Sequence, residues 1–289
     1  KAQSGKNPNT LIGLNSFVRW SGGLISGDLM IIAARPSMGK TSFVLSLANN
    51  MGFKLNIKVM VLTLEMTKQV LINKLASSHL NIEYQRIRSY QLSKDEFDRL
   101  VRFYELFEGP NAKILIFDKS EVKSIQDFRT KVEELKPDIA IVDYLQLMVS
   151  KTGNSSSKNR QEEVSFLSRE LKSICLDTSI PIIALSQLSR AVDSRTNKRP
   201  ILSDLRESGA IEQDADIVGF LYRESYYKEQ ADPNYVIPLC EKGNTEFNIA
   251  KGRDIGTKTF FINLALTEYT IYDCFLHQNG EQIIQGRTN

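Results

Sequence analysis

LMIIAARPSMGKTSFVLSLANN (29–50) passes from an apolar run, through a turn, into a segment whose apolar residues recur at helical spacing. The turn, ARPSMGKTS (34–42), departs from the phosphate-binding pattern G-x-x-x-x-G-K-[ST] only at its first position, where Ala34 stands for glycine. In such a loop, backbone N–H groups wrap the α- and β-phosphates, and the helix that follows points its positive end at them. Ala34 sits at the strand exit, where glycine eases the turn but is not itself a ligand. Pro36 fixes φ and stiffens the loop. Lys40 reaches the β/γ-phosphates, Thr41 offers a hydroxyl to Mg²⁺, and Ser37, Gly39 and Ser42 complete the phosphate contacts. The loop points to a nucleotide, and by itself to no particular reaction.

With 289 residues and 42% hydrophobic content, the chain can bury one large α/β core. No apolar run approaches the roughly 18–20 residues of a membrane span. KAQSGKNPNT (1–10) has no apolar segment of the secretory kind, so a cytoplasmic protein without a membrane partner is expected. The chain starts without Met, as would a piece of a longer protein that begins inside a linker. Cys175, Cys240 and Cys274 show no metal or redox spacing and are expected to be reduced thiols. His79 and His277 are isolated and read as surface or packing residues. A net charge of +3 is too small to argue for nucleic acid.

Four nearly continuous apolar runs, LMIIAA (29–34), KVMVLTL (58–64), IAIV (139–142) and PIIALS (181–186), read as strands buried on both faces of a parallel sheet. KILIFD (113–118) is a fifth. Helical patterns separate them: TKQVLINKLASSHL (67–80), KDEFDRLVRFYELF (94–107), SIQDFRTKVEELK (124–136) and RQEEVSFLSRELKSICL (160–176). The alternation predicts an α/β fold with a mostly parallel sheet. KTGNSSSKNR (151–160) reads as a polar loop, and the sequence after residue 216 as strands joined by turns.

In open α/β sheets, ligands bind outside the carboxyl ends of the strands. The four runs end at the phosphate loop, at Glu65, at Asp143 and at Gln187, which predicts one crevice holding all of them. Phosphoryl transfer needs positioning and charge stabilisation more than covalent help. Thr41 and Asp143 would hold Mg²⁺, Asp143 through water; Glu65 would activate the attacking water; neutral Gln187 would contact the γ-phosphate.

ARPSMGKTS, LTLEM (62–66), IVDYLQLM (141–148), ALSQLSR (184–190), SDLRESGAIEQDAD (203–216) and AKGRD (250–254), in this order, closely resemble the RecA-like motor domain of the DnaB family of bacterial and phage replicative DNA helicases. The likeness runs from about Thr10 to about Thr270. That family commonly writes its loop A/G-R-P-S-M-G-K-T, so Ala34 marks a subtype. The resemblance implies residues 10–289 as a RecA-like helicase ATPase domain behind a linker remnant at 1–9. It also implies a ring of six subunits that uses ATP or another NTP with Mg²⁺ to move 5′ to 3′ on single-stranded DNA. Glu65 would be the catalytic base, Asp143 the Walker B carboxylate and Gln187 the γ-phosphate sensor. Lys251 and Arg253 would reach a neighbour's nucleotide, with Arg253 as arginine finger. Arg206, Glu207 and Gly209 match a loop that touches the DNA backbone. Primase and a helicase loader are implied as partners, engaged through family segments absent from this sequence.

SRAVDSRTNKRP (189–200) places Arg190, Arg195, Lys198 and Arg199 just after Gln187, as a basic loop that could couple the γ-phosphate sensor to a polyanion. Two other readings share these features: a RecA-like filament-forming ATPase on single-stranded DNA, and an ATP-gated assembly switch with little turnover. RESGAIEQDAD argues against the first and Glu65 against the second.

Overall fold

In the computed structural model, residues 13–143, 157–205, 209–231, 244–266, 269–276 and 282–284 are described. Residues 1–9, Arg206, Glu207, Cys240 and His277 lie outside them.

The apolar runs form β1 (Leu29–Ala34), β2 (Val59–Thr63), β3 (Ile114–Asp118), β4 (Ile139–Asp143) and β5 (Ile182–Gln187), all parallel. β6 (Ile217–Tyr222) is parallel to β1, and β7 (Thr245–Gly252), β8 (Lys258–Ala265), β9 (Thr270–Leu276) and β10 (Gln282–Ile284) extend the sheet antiparallel. The order is β10-β9-β8-β7-β6-β1-β5-β4-β2-β3.

Continuous apolar strands demand cover on both faces, and the helices supply it. Met30 and Ile32 of β1 pack on the side of α1 (Asn15–Ser21), α2 (Lys40–Asn49), α3 (Lys68–Leu80), α4 (Tyr84–Arg88) and α5 (Lys94–Glu105). Leu29 and Ile31 face α6 (Ile125–Leu135), α7 (Ser157–Thr178) and α8 (Gly209–Asp214). The helix patterns become α3, α5, α6 and α7; α5 and α6 each start on a capping box, Ser93 with Glu96 and Ser124 with Asp127.

Two expectations change. The polar loop was expected through residue 160, but α7 begins at Ser157. Its first turn, SKNR, holds no apolar residue, so helical periodicity gives no mark of the start. The region after 216 is not all strand, because α9 (Glu224–Ala231) follows β6. Its short, mostly polar stretch ESYYKEQA gives little periodicity to read.

The antiparallel extension is tied to the phosphate-loop helix by aromatic packing. Phe247 of β7 is fully buried and meets Phe43 of α2 at 4.8 Å between centroids, with Phe17 and Phe260 at 6.4 and 6.3 Å. Phe247→Ala should therefore lower unfolding free energy by about 3–5 kcal/mol. Urea denaturation checks it; a loss below about 1 kcal/mol would mean that this cluster does not join the two halves of the sheet.

Candidate active site

β1, β5, β4 and β2 are adjacent and parallel, so their carboxyl ends form one edge. The register sets Ala34 beside Gln187 and Thr63 beside Asp143. The phosphate loop, Gln187, Asp143 and Glu65 leave the sheet along this line.

Ala34 is the last residue of β1, fully buried and without a positive φ. Its carbonyl accepts from Lys40 Nζ at 2.9 Å and from the Leu188 N–H at 3.2 Å. Glycine is needed later in the loop. Gly39 has φ +88°, and a Cβ there would lie 2.6 Å from Leu264 Cδ2 and 2.8 Å from Leu266 Cδ2. Ser37 is also left-handed, with φ 65°.

α2 begins directly after Gly39, with no side-chain cap and no acidic residue in its first turn. Its first intrahelical bond is Phe43 N–H to Gly39 C=O at 2.8 Å, so the N–H groups of Lys40, Thr41 and Ser42 have no partner within the helix. Together with the left-handed loop they make an anion cradle. The Ser42 side chain is buried, so what it offers a phosphate is its backbone N–H.

Thr41 Oγ1 donates to Asp143 Oδ2 at 3.0 Å, which places a hydroxyl and a carboxylate together at the foot of the cradle. Asp143 is 4% exposed. Burial, with Glu65 adding repulsion, pushes its carboxyl up to about 6, against the Thr41 hydrogen bond and the charges of Lys40 and Lys74. Burial pulls Lys40 down to about 8, opposed by Asp143 and Glu65. Among the described residues no group of three or more His, Cys, Asp or Glu could hold a metal. Mg²⁺ does not require one, because it keeps waters and takes phosphate oxygens beside one or two protein ligands. Two hard oxygen donors at a phosphate cradle fit that ion.

Glu65 is exposed beyond β2. Thr63 Oγ1 bonds both the N–H and the C=O of Met66 at 3.2 Å, closing the turn that carries Glu65. α3 starts later, at Lys68 with Thr67 in the N-cap position, so Glu65 is not in its first turn.

Sequence reading missed Lys74. It is 9% exposed on α3, donates to Met66 Sδ at 3.1 Å, and lies 5.0 and 5.9 Å from the ring centroids of Tyr269 and Tyr84. Its charge acts on both Asp143 and Glu65, while burial lowers its pKa. The available signal was its place three residues after Leu71 and four before Ser78, on the buried face of α3.

The basic loop after Gln187 does not present all its cations outward. Arg195 pairs with Asp204 at 2.7 Å and Arg199 with Glu246 at 2.6 Å, while Lys198 donates to the Asp193 carbonyl. Arg190 is exposed. Arg35 of the phosphate loop joins this segment through Asp193 and the Leu188 carbonyl, at 2.6 and 2.8 Å. The loop is thus braced against the nucleotide cradle.

Arg253 and Lys251 lie elsewhere. Ile217 is level with Gly252 and with Met30, so the K-G-R segment flanks the amino end of β1, opposite the cradle. Lys251 Nζ donates to the carbonyls of Glu212 and Ala215 at the end of α8. Gly209 opens α8. Cys175 is buried, with its thiol pushed up to about 12 by desolvation, and His79 packs against Phe53 and Phe103. Among the described residues no helix is long and apolar enough to cross a membrane.

The sign for Asp143 follows from linkage. Its folded pKa is raised, so the stability contributed by its protonated form is complete below 3.8 and is lost as pH rises through about 6. Asp143→Asn should then raise the Tm of the nucleotide-free protein near pH 7.5, with the gain vanishing toward about pH 4. Equal Tm differences at both pH values would show that the carboxylate carries no burial cost.

The family model described as "DnaB-like helicase C terminal domain" matches residues 11–271. The replicative DNA helicase DnaB of Geobacillus stearothermophilus is 40% identical over 231 residues, covering 78% of this chain and 50% of that protein. The DnaB of Rickettsia prowazekii is 43% identical over 228 residues, covering 73% and 45%. The chain spans about half the length of the curated relatives it matches. A solved DnaB-like replicative helicase, described with its interactions with primase, superposes with a TM-score of 0.77 at 35% identity, covering 90% of this chain and 60% of that one. A solved ATPase domain gives 0.76 at 35% identity, covering 90% and 89%. Its RecA-like sheet, its phosphate cradle and the span of that match together mean that this chain belongs to the DnaB-like helicase C-terminal domain family.

Proposed function

We propose that the chain is the motor of an ATP-driven replicative DNA helicase, working in a ring of six that moves 5′ to 3′ along single-stranded DNA. The observation that carries this reading is the separation of Arg253 from Lys40 within one chain. Six residues of β1 lie between the level of Arg253 and the cradle, about 20 Å at ~3.3 Å per residue. Arg35 of the phosphate loop is committed to Asp193 and Leu188. At that separation Arg253 would serve a neighbour's nucleotide rather than its own, and head-to-tail interfaces around a closed ring supply that arrangement at every site.

Within a site, Lys40 and the N-terminal amides of α2 hold the β/γ-phosphates. Thr41 and Asp143 would hold Mg²⁺, which would supply positive charge to offset that of the phosphates. Glu65 orients the attacking water and takes its proton, and Gln187 hydrogen-bonds the γ-phosphate. The neighbour's copies of Lys251 and Arg253 face the developing charge. Arg206, Glu207 and Gly209 follow β5 on the path from Gln187 and contact the DNA backbone, so binding is sequence-tolerant and salt-sensitive. A solved DnaB-like helicase described with its interactions with primase supports primase as a partner, and a loader is proposed from the family resemblance alone. The site takes ATP as its fuel and the work is done in the cytoplasm.

Two variants and their mixture test this. Glu65→Gln should bind nucleotide yet turn over roughly 10²–10⁴-fold more slowly, and Arg253→Ala about 10³–10⁵-fold more slowly. In 1:1 mixed rings about a quarter of interfaces pair an intact Glu65 with an intact neighbouring Arg253. Phosphate release should therefore rise well above that of either variant alone. Mixed rings that stay silent, or an assembled Arg253→Ala protein at wild-type turnover, contradict the shared site.

A further inference from the structure

The Asp216 carboxylate has a use that the proposed chemistry does not assign. It is 7% exposed, at the start of β6 beside the amino end of β1. Oδ2 accepts from the Leu29 N–H at 2.9 Å and from Lys172 Nζ of α7 at 2.5 Å, and Lys172 also donates to the Gly27 carbonyl at 2.9 Å. Two elements, β1 and α7, therefore fix that oxygen. Oδ1 faces Arg253 Nη1 at 3.0 Å, and the Arg253 N–H donates to the Asp216 carbonyl at 2.9 Å.

Arg253 is held at both ends: its backbone by the Asp216 carbonyl and its guanidinium by the Asp216 carboxylate. Gly252 allows this close turn, since a Cβ there would lie 2.4 Å from the Gly256 carbonyl oxygen and 2.5 Å from Ile255 Cγ1. The Arg253 side chain remains 52% exposed. Apart from a 3.5 Å contact to the Gln213 carbonyl, the remaining guanidinium donors meet no acceptor among the described residues. An ion pair this exposed on one side adds little to stability in water. What it does is remove rotamer freedom from a long side chain before any partner arrives, so the ordering is not left to the reaction.

We propose that Asp216 is the positioning residue of the arginine finger, holding Arg253 in the conformation presented to the neighbouring subunit's nucleotide. This rests on the reading of Arg253 as acting in trans. The role belongs to the finger-donating subunit, and that makes it separable from any effect of Asp216 on its own chain's cradle through β1.

The test is complementation among Asp216→Asn, Glu65→Gln and Arg253→Ala in assembled protein, read by steady-state phosphate release. Asp216→Asn alone should lower kcat by about 10- to 10²-fold with KM for ATP unchanged. Mixed with Glu65→Gln it should recover, because the partner supplies a complete finger. Mixed with Arg253→Ala it should not, because both lack one. Wild-type or raised turnover for Asp216→Asn overturns the proposal. So does the reverse grouping, recovery with Arg253→Ala but not with Glu65→Gln, which would place the defect in the cradle. If Glu65→Gln and Arg253→Ala fail to recover with each other, the trans reading itself falls. Should Asp216→Asn not fold, Asp216→Glu, which keeps the charge but displaces it, enters the same mixtures with the same expected grouping.

Discussion

A parallel strand covered on both faces has no place for a polar side chain until it leaves the sheet. β1, β2, β4 and β5 obey this along their length: nearly every residue is buried, and polar character appears at or just past the carboxyl end. Because the four are neighbours in the order β1-β5-β4-β2, their exits coincide on one edge. The phosphate loop, Gln187, Asp143 and Glu65 need no long-range search to meet. The packing that stabilises the sheet also assembles the site.

The cost is electrostatic. Asp143 and Lys40 are both displaced from their ordinary ionisation by burial, in opposite senses, each partly offset by the other and by Thr41, Glu65 or Lys74. A cradle of amides and a lysine at the N-terminus of α2 suits an anion, while a carboxylate beside a hydroxyl suits a cation. Under the proposed function, nucleotide with Mg²⁺ would match both. Lys74, sealed between Met66 and the rings of Tyr84 and Tyr269, adds a fixed positive charge behind the two carboxylates. The amino edge has its own fixed charge pair, Lys172 and Asp216, from which Arg253 points outward. One chain thus carries the cradle on one edge and Arg253 on the other.

The parallel strands, the helices between them and the phosphate loop were legible because apolar continuity and helical periodicity are local signals. Ala34 was legible for the same reason: a strand's last residue needs no positive φ, while Gly39, crowded by Leu264 and Leu266, does. What escaped the sequence was set by contacts across the fold. The pairing of Arg195 with Asp204 and of Arg199 with Glu246 turns most of an expected basic lining into internal bracing, and nothing within residues 189–200 announces it. Lys74 reads as a solvated helix lysine until the face it occupies is known. α9 is a short polar helix between strands, where periodicity has too few residues to speak.

The central claim is that the edge formed by β1, β5, β4 and β2 is an ATP-hydrolysing site organised around the α2 N-terminus. The most direct measurement is steady-state phosphate release by Lys40→Ala, with folding confirmed by its far-UV spectrum and thermal transition. Lys40 contacts only the Ala34 carbonyl among its described hydrogen-bond partners, so the fold should survive its truncation. The account predicts a folded protein with phosphate release at background; a folded Lys40→Ala protein that hydrolyses ATP at the wild-type rate would contradict it.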